Sequence, residues 1–150
     1  MAVLLLDCAF SPYQHLEKYQ KKQLRSGEYG AAVTFVGSVR DLHDDFSVQS
    51  MTIECYDAMA KKEIEKICDD AACKWSIGDS LVVHRYGEVE AGEVLVLVAV
   101  WSLHRQAAFE ACRYIIHHLK YAAPFWKQEH NMQGSRWLDS NSDDKGVSQC

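Results

Sequence analysis

"EVLVLVAVWSLHRQAAFEACRYIIHHLKYAAPFWKQE", residues 93–129, runs from an unbroken apolar stretch into a helical pattern and then meets a proline. The apolar part, Val94 to Trp101, reads as a buried strand, because a membrane-spanning helix needs about 20 such residues. Beyond it, Ala108, Ala111, Cys112, Ile115 and Leu119 recur at intervals of three and four, which makes one apolar stripe of a helix. Ser102 offers the N-cap of that helix. Pro124 should stop or kink it, leaving "FWKQEH" as a separate element packed by its aromatics.

The same reading extends upstream. "SLVVHRYG" (80–87) is a second strand, joined to the first by "EVEAG", a short connection of hairpin type. From Ala58 to about Trp75 the positions Ala60, Ile64, Ile67, Cys68 and Ala71 again follow helical spacing. In "VQSMTIECYD" (48–57), Met51, Ile53 and Cys55 alternate with Thr52, Glu54 and Tyr56, a half-buried strand. "GAAVTFVGSVRD" (30–41) alternates too, with Val33, Phe35 and Val39 on one face and Thr34, Val36, Ser38 and Arg40 on the other, so that Arg40 closes the strand. At the amino end "AVLLLD" is a buried strand, followed by a helix with Ser11 as cap, Pro12 in its first turn and Gly27 beyond its end. The order β-α-β-β-α-β-β-α is that of an α+β fold with an at least partly antiparallel sheet.

A chain of 150 residues, 48% hydrophobic and 25% charged, has the size and composition of one soluble domain. No linker or repeat divides it, so residues 1–137 read as a single domain and 138–150, "LDSNSDDKGVSQC", as a polar, flexible tail. A net charge of -5 argues against a general nucleic-acid binder, and any anion site must be local. Cys8, Cys55, Cys68, Cys73, Cys112 and Cys150 show no CxxC pattern, which suggests buried free thiols and no zinc. With no basic segment ahead of the short amino-terminal apolar run, a signal peptide is not expected; the reading is a cytoplasmic protein without a membrane span.

Cations stand at the ends of these elements: Arg40, the pair His104 and Arg105, Lys120, and Lys127. His104 and Arg105 sit where a helix dipole disfavours positive charge, a cost that an anionic ligand would offset. Lys120 is at the opposite end, where the dipole favours a cation anyway. His104 and Lys120 are sixteen positions apart, about 24 Å along a helix, too far for one small molecule to touch both. Either the two ends serve different ligands, or two chains meet so that the start of one helix approaches the end of its twin. His84, His117 and His118 lack partners at ligand spacing and read as packing or surface residues, and no metal site is expected.

Five separated stretches, "GAAVTFVGSVRD", "ECYDAMA", "VVHRYGEVEAGE", "HRQAAFEACRYIIHHLK" and "APFWKQE" followed by "SRW", resemble in order the catalytic (large) subunit of molybdopterin synthase, from about residue 28 to 137. The resemblance implies an α/β hammerhead-type fold with an added antiparallel β subdomain. It implies a homodimer that binds one ubiquitin-like small subunit at each end, a heterotetramer. The small subunit ends in Gly-Gly, carried as a thiocarboxylate. Two sulfurs would pass from such carriers to cyclic pyranopterin monophosphate, forming the dithiolene of molybdopterin, with no cofactor held by the enzyme.

Position by position, Lys120 and Lys127 match the family's active-site lysines, Arg40 its pocket arginine, and His104 with Arg105 the basic pair from the neighbouring subunit. Phe35 and Ile116 match positions lining the pocket for the partner's tail. Arg40, Arg105 and His104 would hold the phosphate, arginine being suited to bidentate contact. Lys120 would act as general acid/base, or as an amine transiently joined to substrate or carrier. Lysine ordinarily titrates near about 10.4, so such a role needs desolvation or a neighbouring cation, which Lys127 could supply. The alternatives are a non-catalytic dimeric adaptor for a Gly-Gly-tailed protein, or an enzyme of different reaction using the same cationic pocket.

Overall fold

The computed structural model describes residues 1–43, 46–121 and 124–138. In chain order the elements are β1 (Ala2–Leu6), α1 (Pro12–Gln23), β2 (Ala31–Ser38), β3 (Leu42–His43), β4 (Phe46–Ser47), β5 (Ser50–Cys55), α2 (Asp57–Trp75), β6 (Asp79–Arg85), β7 (Gly87–Glu90), β8 (Val94–Ser102), α3 (Arg105–Tyr121), β9 (Phe125–Asn131) and β10 (Gly134–Trp137). The fold is α+β, with three helices and two four-stranded sheets among the described residues.

The first sheet has the order β1-β6-β8-β2, parallel between β1 and β6 and antiparallel elsewhere. Helices cover both of its faces. On one side Val82, Val98 and Val100 pack against Ile64, Ile67 and Cys68 of α2 and Ala111, Ile115 and Leu119 of α3. On the other, Leu81, Leu97 and Trp101 are covered by Leu16 and Tyr19 of α1. That double coverage is why β8 is written as a continuous apolar run, buried on both faces from Leu97 to Ser102. The cap expected for α1 is present, with the Gln14 N–H donating to Ser11 Oγ at 3.5 Å.

The second sheet, β10-β9-β5-β7, is antiparallel throughout and is the added subdomain. Met51, Ile53 and Val89 form its core with Val39 and Val48, and Phe125 packs against both this cluster and the α2/α3 core. Here the sequence reading needs correction. The connection between β6 and β8 is no plain hairpin loop: Gly87, at φ +81°, breaks β6, and residues 87–90 cross over to pair with β5 as β7, Met51 opposite Val89. "FWKQEH" is a strand with ladder partners on both sides.

Ser102 ends β8, and its Oγ accepts from the His104 N–H at 3.4 Å, so α3 opens at Arg105 without Ser102 as its cap. Cys68 and Cys112 are buried as expected, with their thiols pushed up to about 11 by burial, but Cys8 and Cys73 are exposed. Cys150 and most of the polar tail lie outside the described residues.

Candidate active site

Helix α3 delivers Lys120 in its last turn, with Ile116 one turn earlier on the same face. Strand β9 brings in Lys127 opposite Ile53 of β5, and β2 contributes Phe35, 38% exposed. These four meet around an inner cavity of about 140 Å³ floored by Val96 and Val98 of β8. The elements explain the meeting: α3 packs on β8 and β2 through its apolar stripe, and Phe125 anchors the start of β9 in the same core.

Two further spaces share walls with this cavity. Lys120, Phe35 and Ile116 also border an outer groove of about 450 Å³ with Phe109, Arg113 and Tyr121. Lys127 and Phe35 also border a recess of about 260 Å³ with Arg40, Met51 and Glu129. Phe35 thus touches all three spaces, Lys120 stands between the groove and the cavity, and Lys127 between the cavity and the arginine recess.

Arg40 lies two residues beyond the end of β2 and does not close it, contrary to the sequence reading. Simple alternation would also place Phe35 and Arg40 on opposite faces. Both nevertheless line one recess, because β2 ends at Ser38 and alternation no longer governs Arg40 beyond it; the ladder with β8 also slips there, with Leu95 the extra residue on β8. Gly37 is needed there: a Cβ would stand 2.8 Å from Val96 Cγ1 and 3.2 Å from Phe35 Cε1.

The structure adds two residues. His84 of β6 lines the inner cavity, 4% exposed, its ring stacked on Phe125 with centroids 4.0 Å apart and its Nδ1 donating to the Arg85 carbonyl at 2.8 Å. Burial, and then the charge of Lys127, push its pKa down to about 3, so the ring is neutral at physiological pH. The only hint in the sequence is a histidine inside an apolar strand, and a packing role explains that equally well. Glu129, 3% exposed, faces the arginine recess and accepts from Arg136 Nε at 2.8 Å. Its signal was local: on a strand, residues 127 and 129 share a face.

His104 and Arg105 are not brought to these spaces within one chain. Both are exposed at the start of α3, and Arg105 is about 22 Å from Lys120 along the helix axis. Exposed Leu103 and Phe109 lie beside them, 66% and 62% accessible. No group of three or more His, Cys, Asp or Glu suited to a metal occurs among the described residues. Nor is any helix there long and apolar enough to cross a membrane.

A helix-covered mixed sheet, an appended antiparallel sheet and paired lysines recessed at their junction define the class: an α+β protein with a cationic pocket built from α3, β2 and β9. Known proteins share this fold. The MoaE protein family matches residues 10–122. The molybdopterin synthase catalytic subunit of Pseudomonas aeruginosa is 38% identical over 149 residues, covering 99% of this chain and 97% of that one. The crystal structure of molybdopterin synthase from Staphylococcus aureus superposes with a TM-score of 0.81 at 30% identity, covering 91% of this chain and 96% of that one. A complex of subunits 1 and 2 of molybdopterin-converting factor from Helicobacter pylori shares the fold, with a TM-score of 0.76 at 24% identity over 93% of this chain and 92% of that one.

The chain belongs to the MoaE protein family, the catalytic subunits of molybdopterin synthase, enzymes of molybdenum cofactor biosynthesis.

Proposed function

We propose that this chain transfers two sulfurs from the C-terminal thiocarboxylate of a ubiquitin-like small subunit to cyclic pyranopterin monophosphate, and that the three connected spaces divide the work. The observation that carries the reading is the position of Lys120 and Lys127 on either side of one small cavity, with Phe35 common to all three spaces. The outer groove, with Phe35 and Ile116 in its wall, suits an extended peptide tail; the recess with Arg40 suits an anionic ring ligand. The cavity between them is where a tail's terminal sulfur and the pterin would meet.

Lys120 is the reacting group in this scheme, as acid/base or as an amine briefly joined to carrier or substrate. Lys127 sets the local field, and Arg40 binds phosphate. His104 and Arg105 complete the phosphate site from the second copy of a homodimer, which is how residues at opposite ends of one helix reach one ligand. Exposed Leu103 and Phe109 supply apolar surface for that contact. The assembly is then a heterotetramer, by analogy with the two-subunit complex from Helicobacter pylori. No thiol of this chain is required, because the sulfur arrives on the partner.

The test is reconstitution of this chain with thiocarboxylated small subunit and cyclic pyranopterin monophosphate, reading the pterin product's sulfur content by mass spectrometry. Gain of two sulfurs is expected. Tight binding of the small subunit with no sulfur gain would replace the reading with that of an adaptor.

A further inference from the structure

Among the described residues the inner cavity has one side-chain acceptor. Its other walls are apolar side chains and the ammonium groups of Lys120 and Lys127, which only donate. His84 differs. Its Nδ1 is 2.8 Å from the Arg85 carbonyl oxygen, and since a carbonyl only accepts, Nδ1 carries the hydrogen and Nε2 of the neutral ring keeps its lone pair. No hydrogen bond among the described residues satisfies Nε2. The buried side-chain atoms without a partner among the described residues are Arg85 Nε and Trp101 Nε1, not His84 Nε2; a ring 4% exposed in the cavity wall therefore turns that lone pair to the cavity, where a ligand's donor can reach it. Phe125, stacked at 4.0 Å, fixes the plane of the ring.

The cavity, about 140 Å³, has room for the last residue of a peptide, and the outer groove and the arginine recess that share its walls offer space for the rest of the tail and for the pterin. A C-terminal glycine offers an anionic end for the two ammoniums and one amide N–H close behind it. We propose that His84 is a further binding residue, whose Nε2 accepts the hydrogen bond of the last backbone N–H of the partner's tail while Lys120 and Lys127 face its terminal group. The inference rests on the tail-transfer reading above and names how the tail is held in register.

The experiment uses small subunit semisynthesised with either glycine or sarcosine as its last residue, the second lacking that N–H. Each is titrated against the wild-type chain, His84→Phe, which keeps a flat ring on Phe125, and His84→Gln, whose Oε1 restores an acceptor. N-methylation should weaken binding about tenfold in wild type, less than twofold in His84→Phe, and again about tenfold in His84→Gln. Should His84→Phe not fold, His84→Asn takes its place, since its amide can donate to the Arg85 carbonyl and leaves no acceptor at the Nε2 position. Equal losses in wild type and the acceptor-less variant, or no loss in wild type, would overturn the role of His84 alone. Failure of wild type to bind the glycine-ended subunit would overturn the tail-docking reading beneath it.

Discussion

The ring of Phe125 lies flat on that of His84, with centroids 4.0 Å apart and planes 10° apart. Through this contact the first residue of β9 is tied to the core strand β6, and Lys127, two residues on, is set against the inner cavity. Lysine is flexible and loses substantial side-chain entropy when fixed. The stack reduces the remaining freedom to that of the side chain itself.

His84 makes stability depend on pH. Its folded pKa, near 3, is below the ordinary 6.5, so between those values the unfolded chain binds a proton that the folded chain does not. Its stabilising contribution is therefore complete above pH 6.5 and falls as pH drops toward 3, by on the order of 2–3 kcal/mol at pH 4.5. Urea unfolding at pH 7.5 and 4.5 should show His84→Gln losing less stability on acidification than wild type. Equal losses would mean that the imidazole titrates normally.

Gly37→Ala should perturb the site more than the fold. The new Cβ, 2.8 Å from Val96 Cγ1 and 3.2 Å from Phe35 Cε1, must push the Phe35 ring that borders all three spaces. Overpacking of this kind costs about 1–3 kcal/mol. Turnover is expected to fall at least tenfold while circular dichroism stays native. Gly30→Ala is the contrast, because its Cβ would meet the Leu103 carbonyl oxygen at 2.5 Å, and backbone cannot yield as a side chain does; there the main loss should be in Tm.

Arg136→Ala should be costly for a surface-facing change. It takes the guanidinium at 2.8 Å away from Glu129, 3% exposed, and loss of one hydrogen bond to a charged group costs about 1.5–3 kcal/mol. Arg136→Met paired with Glu129→Gln should recover much of the stability but not the activity, since Glu129 also lines the recess with Arg40. Denaturant midpoints and turnover, measured on the same samples, separate the two effects.

Composite sites predict complementation. Lys120→Ala and Arg105→Ala homodimers should each be inactive or nearly so. A mixed dimer, however, holds one site with Lys120 from one chain and Arg105 from the other, both intact. Unfolding and refolding the two variants together should restore activity, up to about a quarter of wild type for random pairing of two sites per dimer. No recovery, with mixed dimers verified by native mass spectrometry, would place all the essential residues within one chain.

What the sequence disclosed follows from how local the cause was. Ile116 and Lys120 could be placed on one helix face because four residues make about one turn, and α2 could be read almost to its ends from apolar spacing. Phe35 and Arg40 could not be placed together by alternation, because where β2 stops depends on its pairing with β8, far along the chain. Strand β7 was hidden for a similar reason: "GEVE" becomes a strand only through pairing with β5. His84 was legible as a packing or surface histidine but not as a wall of the lysine cavity, since its stacking partner is at position 125 and its charged neighbour at 127.

The central claim is that sulfur moves to the pterin at Lys120. Its most direct test is a single turnover with small subunit carrying a heavy-sulfur thiocarboxylate, comparing wild type with Lys120→Ala. Wild type should place the heavy isotope in the pterin product, and Lys120→Ala should still bind the small subunit yet transfer heavy sulfur at least a thousandfold more slowly. Heavy sulfur appearing in the product at a near-normal rate in Lys120→Ala would remove that lysine from the chemistry.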